Sequence, residues 1–504
     1  MPRLQDLTPD RLRGLRRGIE KESLRANVDG SLAVTPHPAA LGSALTHARV
    51  TTDFSESQLE LITGVHASAE ACLQEMQHLH QFVYRQMGDE LMWVGSMPCR
   101  LPGDETIPLG RYGTSNVGRA KSIYRMGLGH RYGRRMQTIS GIHYNWSMPG
   151  LSDADHFALI RNFRRHAFLL LFLFGASPAL CRSFVEGREH GLQPWGEGSL
   201  ALPHATSLRM GRLGYQSDAQ ASIRASFNSL ESYAASLHDA LTRPYPAYEA
   251  IGVKNLGGEY NQLATTLLQI ENEFYGTIRP KRTIRAGERP LHALRERGVE
   301  YIEVRCMDLD PFEPLGISAS TMRFLDMFLL HCAVSDSPPD TPDEIAALAR
   351  NQHRTASHGR EPGLRLERDG AEVALQDWAH ELLQAYRPLA MRLDAAHGGT
   401  AYGEALAEAE QRLAHPDTTP SARALQVMEA DFNRSFAAFV RAQSVQTRAA
   451  LLALPWSDAQ HQACVAEAQA SVQQQRALEA ADHGDFEAFR QAYLAPERLL
   501  LAAA

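Results

Sequence analysis

Cysteines at metal-ligand spacing are missing from this chain. The six present (Cys72, Cys99, Cys181, Cys306, Cys332, Cys464) are scattered, and none forms a CxxC pair. Neither a zinc ribbon nor a disulfide framework is suggested. Long apolar runs are missing too. The longest, AFLLLFLFGA from Ala167 to Ala176, is too short to span a bilayer and reads as a core helix ending near GASP. The opening MPRLQDLTPDRLRGLRR lacks the apolar stretch of a signal peptide. Basic residues do not predominate. With 51 Lys and Arg against 58 Asp and Glu, the formal net charge is −7, a poor balance for nucleic-acid binding. The expectation is a reduced, soluble, cytoplasmic protein that engages neither membrane nor nucleic acid.

Familiar phosphate and nucleophile signatures are also absent. There is no GxxxxGK followed by Ser or Thr, hence no P-loop. GLGHRYG (127–133) misses the dinucleotide spacing by one residue and follows a basic segment rather than a strand. Without GxSxG, an α/β-hydrolase elbow is excluded.

What is present is enough chain for a large core. The 504 residues are 44% hydrophobic and 8% aromatic, which excludes wholesale disorder. At roughly 150 residues per domain the length allows about three domains, or one large core with a helical appendage. From about residue 18 to 320, strand-like runs alternate with amphipathic helices. GIEKESLRANVDGSLAV has the pattern of a hairpin, Asp29-Gly30 supplying a turn that wants positive φ. Cys72, Met76, Leu79, Val83 and Met87 recur at three or four residues, which predicts a helix over 67–88. Helices are expected over 152–174 and 222–242 as well. Beyond Pro338-Pro339, Ala, Gln, Glu, Arg and Leu come to dominate, giving a helix-rich region that reads as support structure.

Polar residues at spacing two stand out inside the strand-like runs. Glu20 and Glu22 sit in GIEKES; Asp53 closes RVTTD; Gln58 and Glu60 alternate with Leu59 and Leu61. His143 and Asn145 alternate with Ile142, Tyr144 and Trp146, as do Gln269, Glu271 and Glu273 in LQIENEF, and Glu303 and Arg305 in EYIEVRCMDL. Successive strand side chains point to opposite faces, so each pair shares one. An antiparallel sheet with one wet face gives the same alternation. This face, however, is mostly carboxylate, and adjacent carboxylates repel unless a cation lies between them. Hard oxygen donors with one imidazole suggest magnesium or manganese rather than zinc. Divalent ions on a sheet face would hold nucleotide phosphates without a glycine loop. Arg305, two residues from Glu303, is placed to neutralise a transferring phosphoryl group. Arg209 in HATSLRMGRLGY suits a substrate carboxylate, although taken alone it reads as a surface salt bridge.

These motifs resemble a known family. GIEKESLR, LGSALTH followed by TTDFSESQLELIT, MGDELMW, SMPC, YGTSNVGRAKSIYRMGLGHRYG, MQTISGIHYN, FGASPA, LPHATSLRMGRLGY, LQIENEFYGTIRPKR, EYIEVRCMDLDPF and GREPGL resemble, in order, the proteobacterial type of glutamate–cysteine ligase. The resemblance runs from about residue 14 to the end. It implies an α+β fold, with a curved, mostly antiparallel sheet funnel similar to glutamine synthetase. A catalytic core is expected over 1–335, with a helical region over 336–504 packed on it. Glu20, Glu22, Asp53, Glu60, His143 and Glu303 are implied as metal ligands. Arg305 is implied at the transferring phosphoryl group and Arg209 at a substrate carboxylate. Phe54, Tyr124, Leu128, Gln137, Tyr215 and Tyr275 are implied as the lining of a cysteine pocket, where the residues alone would read as ordinary core.

The implied reaction joins the γ-carboxylate of L-glutamate to the amine of L-cysteine with ATP, through a γ-glutamyl phosphate. Magnesium, or manganese, is the implied metal, and glutathione the implied feedback inhibitor of a monomeric enzyme. A related carboxylate–amine ligase using another amino acid or ammonia is the alternative. The part after residue 320 is too short and too helical for the added ATP-grasp domain of bifunctional enzymes, so a single-step enzyme is expected.

Overall fold

The computed structural model describes residues 4–214, 219, 220, 223, 225–285 and 287–499. In chain order its strands are β1 (Arg16–Ala26), β2 (Val50–Thr52), β3 (Gln58–Ile62), β4 (Leu91–Met92), β5 (Ile142–Ser147), β6 (Ala179–Cys181), β7 (Gln193–Gly196), β8 (Ser199–Ala201), β9 (Ile278–Lys281), β10 (Tyr301–Met307), β11 (Arg365–Arg368) and β12 (Ala371–Ala374). The main sheet runs β2-β3-β1-β5-β10-β9, with β4 paired to the end of β1. Its pairings are antiparallel. A small sheet, β6-β8-β7, and the hairpin β11-β12 lie outside it. The fold is α+β.

Antiparallel pairing lets one face be buried while the other stays polar. Ile19, Leu59, Leu61, Ile142, Tyr144, Trp146, Ile302 and Val304 form the apolar face and join one core cluster. That cluster is filled from below by the helices Asp153–Phe174 and Ala319–Val334. The first begins in a capping box between Ser152 and Asp155 and stops at Gly175, which satisfies orphan backbone groups at its start. Between these ends its AFLLLFLF run is buried all round. Phe163 meets Phe328, and Phe174 meets Phe324, edge-on at 5.4 and 5.0 Å.

The apolar face also buries charge. Arg17 pairs with Asp326 at 2.8 Å, and Tyr144 and Tyr402 donate to the same carboxylate. Lys21 Nζ lies 2.7 Å from His80 Nε2. Tyr402 comes from the C-terminal region, whose Trp378, Leu382 and Leu389 share the main cluster. Phe436, Phe439 and Val440 fill a second cluster with Leu24 and Trp93. Among the described residues no helix is long and apolar enough to cross a membrane.

The helices expected over 67–88 and 152–174 are found at Ala69–Gln86 and Asp153–Phe174. The hairpin expected after residue 18 is only half formed. Its turn is there, with Gly30 at φ 84°, but the return strand shrinks to one bridge, Ala26 with Leu32. β1 spends its hydrogen bonds on β3 and β5 instead. Of the helix expected over 222–242 the structure has Leu230–Thr242, started by the Ser229 cap; residues 222 and 224 lie outside the described set. LQIENEF is not a strand, because Glu271–Glu273 coil into a 3-10 turn. Cys99 and Cys181 are joined by a disulfide, their Cα atoms 5.0 Å apart, against the expectation of none. Their separation of 82 residues gave no spacing signal; the second core cluster brings them together.

Candidate active site

The polar face is assembled by strand register. Glu20 on β1 pairs with His143 on β5, Glu22 with Glu60 on β3, and Glu303 on β10 with Asn145 on β5. Register partners point to the same side, so β1, β3 and β10 deliver carboxylates to one surface and β5 adds an imidazole and an amide. Asp53 follows β2, its N–H donating to Gln58 O at 3.1 Å.

His143 sits among three of these carboxylates. Its Nδ1 is 3.3 Å from Glu20 and 3.9 Å from Glu303, and its Nε2 is 3.7 Å from Glu22. One donor atom each from Glu20, His143 and Glu303 lie within 4.8 Å of one another, a spacing that suits a shared cation. Asn145 donates to Glu20 at 2.9 Å and the Gly141 N–H to Glu22 at 2.8 Å.

Two halves of this face differ electrostatically. Burial pushes Glu303 up, but Lys281, Arg305 and His143 hold it well below the usual carboxylate range. Glu20 follows the same way: burial opposes ionisation, and the His143 bond with Lys281 nearby overcomes it. Lys281 Nζ is 3.1 Å and Arg305 Nη1 3.1 Å from Glu303. The other half has less compensation. Burial and the neighbouring Asp53 push Glu22 up to about 8, and the same two causes hold Glu60 well above the usual carboxylate range. Glu22 Oε1 and His143 Nε2 are buried with no hydrogen-bond partner. Orphaned acceptors among like charges are what a hard divalent cation relieves. The donor set therefore fits magnesium or manganese.

Arg209 corrects an expectation. It is no surface residue, being only 1% exposed. Its Nη2 donates to the carbonyl of Arg305 at 2.9 Å, and its Nη1 is 3.9 Å from Asp308. A Cβ at Gly141 would overlap this guanidinium and force it to move.

Of the implied pocket residues, Gln137 donates to the Tyr275 hydroxyl at 2.5 Å, and Tyr275 meets Tyr132 edge-on at 5.4 Å. Phe54 is buried, its ring reaching the helix Asn116–Tyr132 at Gly129. Leu128 is buried on that helix, while Tyr124 packs against Ala120, Leu263 and Phe486. Tyr215 lies outside the described residues.

LQIENEF contributes nothing to the carboxylate face. Glu271 is held by Arg289 at 2.6 Å, and Glu273 by Arg131 and Tyr132 at 2.8 and 2.6 Å. Lys281, in contrast, escaped the sequence reading. Arg279 and Lys281 alternate on β9 as Glu303 and Arg305 do on β10, and only the pairing of these strands reveals that they meet.

An antiparallel sheet that gathers carboxylates, one imidazole and two arginines defines an enzyme, of the ligase class that its relatives share. Residues 3–355 match the protein family described as glutamate–cysteine ligase. A glutamate–cysteine ligase of Alcanivorax borkumensis is 47% identical over 500 residues, covering 95% of each chain. One from Azotobacter vinelandii is 48% identical over 505 residues, covering 96% of this chain and 95% of its own. The crystal structure of the Francisella tularensis glutamate–cysteine ligase in complex with AMP superposes with a TM-score of 0.91 at 34% identity, over 96% of this chain and 98% of that one. The chain belongs to the glutamate–cysteine ligase family.

Proposed function

We propose that this enzyme joins the γ-carboxylate of L-glutamate to the amine of L-cysteine at the expense of ATP, giving γ-glutamylcysteine. The observation that carries this reading is the Glu20–His143–Glu303 cluster with Arg305 ion-paired at its edge, in a chain of this family. The relative solved in complex with AMP supports a nucleotide substrate. Glu20, Glu22, Asp53, Glu60, His143 and Glu303 would hold divalent cations, which when bound neutralise phosphate charge. Arg209 would hold a carboxylate of glutamate, and Arg305 would face the phosphoryl group as charge spreads over its oxygens. The glutamate γ-oxygen attacks the γ-phosphorus, the bond to the β-phosphate oxygen breaks, and ADP leaves. The cysteine amine then attacks the acyl phosphate, expelling phosphate and losing a proton. Phe54, Tyr124, Leu128, Gln137, Tyr215 and Tyr275 would seat the cysteine and keep water from the acyl phosphate. No protein nucleophile is required.

The same reading includes a sheet curved into a funnel as in glutamine synthetase, a catalytic part over 1–335 supported by 336–504, a cytoplasmic monomer, and feedback by glutathione. An acid quench tests the chemistry. With ATP, magnesium and labelled glutamate but no amine, γ-glutamyl phosphate should accumulate and cyclise to pyroglutamate. With the label moved to the γ-phosphate of ATP, labelled phosphate attached to the protein would replace this mechanism with a phosphoenzyme.

A further inference from the structure

Asp308 lies one residue past the end of β10 and three beyond Arg305, and it is buried. Both of its oxygens are committed. Oδ2 accepts from the Ala176 N–H at 2.9 Å and from Ser177 Oγ at 2.7 Å. Oδ1 accepts from Ser207 Oγ at 3.0 Å and lies 3.9 Å from the Arg209 guanidinium. The two serines pass this hold to the backbone around Arg209. Ser177 Oγ accepts from the Arg209 N–H at 3.4 Å, and Ser207 Oγ from the Met210 N–H at 3.3 Å. The peptide is therefore fastened on both sides of Arg209, while its guanidinium rests on the Arg305 carbonyl.

A buried carboxylate is expensive for a fold to keep when it serves packing alone. Here it faces one arginine and directly follows the strand that carries the other. Groups that orient a binding residue restrict its rotamers, and a guanidinium whose fork is fixed loses less entropy on engaging a carboxylate.

We propose that Asp308, acting through Ser177 and Ser207, is a positioning residue that sets the Arg209 guanidinium and locks it to Arg305. The two arginines then meet the substrate as one unit. This rests on the reading of Arg209 as the group that holds a glutamate carboxylate.

Steady-state kinetics of Asp308→Asn, Ser207→Ala, Arg209→Lys and the Asp308→Asn/Arg209→Lys double variant test it. Asp308→Asn and Ser207→Ala should each raise KM for glutamate about tenfold or more, with kcat falling less than KM rises. KM for ATP and for cysteine should stay within about twofold. Once Arg209 is lysine, Asp308→Asn should add less than about twofold, because the two act on one contact. Should Asp308→Asn fail to fold, Ser207→Ala, which removes a single hydroxyl, carries the same KM test. A merely structural role would lower Tm and the amount of active enzyme while leaving all three KM values unchanged, and that result overturns the proposal. If Arg209→Lys raises KM for glutamate and neither Asp308→Asn nor Ser207→Ala does, the positioning role falls and the reading of Arg209 stands. If Arg209→Lys leaves it unchanged, the reading of Arg209 falls and the positioning role with it.

Discussion

At the scale of single residues, Glu22, buried, and Glu60, half-buried, are register partners on adjacent strands. Their raised carboxyls make two predictions. Glu60→Gln removes a charge and keeps the shape, so the protein should fold while turnover at saturating magnesium falls by two orders of magnitude or more, about 3 kcal/mol in the barrier. Near-normal turnover would remove Glu60 from the ligand set. The second prediction concerns pH. Glu22, pushed up to about 8 by burial and Asp53, keeps a proton in the folded metal-free protein that the unfolded chain has already released above the ordinary carboxylate range. Through this carboxyl the folded state binds a proton that the unfolded one lacks, so the Glu22 contribution to stability falls as pH rises towards about 8. Magnesium displaces that proton and should flatten the slope. Thermal melts between about pH 5 and 8, with and without magnesium, check this; parallel slopes would contradict it.

At the scale of elements, the carboxylates of LQIENEF and those of EYIEVRC have the same spacing and opposite fates. Glu303 reaches the sheet face, whereas Glu273 is consumed by Arg131 and Tyr132, its ion pair wholly buried. Breaking such a pair from one side costs about 3–5 kcal/mol. Glu273→Gln should therefore lower Tm markedly and leave magnesium titration of the folded protein unchanged; a weakened metal response at unaltered Tm would reverse the assignment. This contrast marks how far the sequence was legible. Period-two alternation found Glu20, Glu22, Glu60, His143 and Glu303, because a strand face writes itself into spacing. It also admitted Glu271 and Glu273, because spacing cannot tell a strand from a 3-10 turn whose acids have arginine partners far along the chain. Lys281 and Asp308 were missed for the converse reason. Their significance comes from cross-strand register and from loops that meet only in the fold. Arg209, plausible on the surface, is buried because two separate segments, around Gly141 and from Arg305 to Asp308, close over it.

At the scale of the whole molecule, the C-terminal helices share the core that carries the site. Trp378 lies against Phe168 with ring centres 4.5 Å apart, and Tyr402 donates to the same Asp326 that pairs with Arg17 on β1. Ending the chain after residue 335 should expose this surface, and the fragment should be protease-sensitive and without cooperative unfolding. A cooperative melt of residues 1–335 would show that the core stands alone. The central claim concerns the reaction itself, and one measurement meets it directly: ADP release from ATP, magnesium and L-glutamate as a function of added amine. On the proposed reading, a cysteine pocket lined by Phe54 and Leu128 should accept a thiol more readily than a hydroxyl, which costs about 1–3 kcal/mol to bury without a partner. L-Cysteine should drive rapid ADP release with γ-glutamylcysteine formed in equal amount, 2-aminobutyrate and alanine should be poor but measurable, serine worse than 2-aminobutyrate, and ammonia inert. Serine or ammonia matching cysteine would contradict the account and make the enzyme a related carboxylate–amine ligase with another amine.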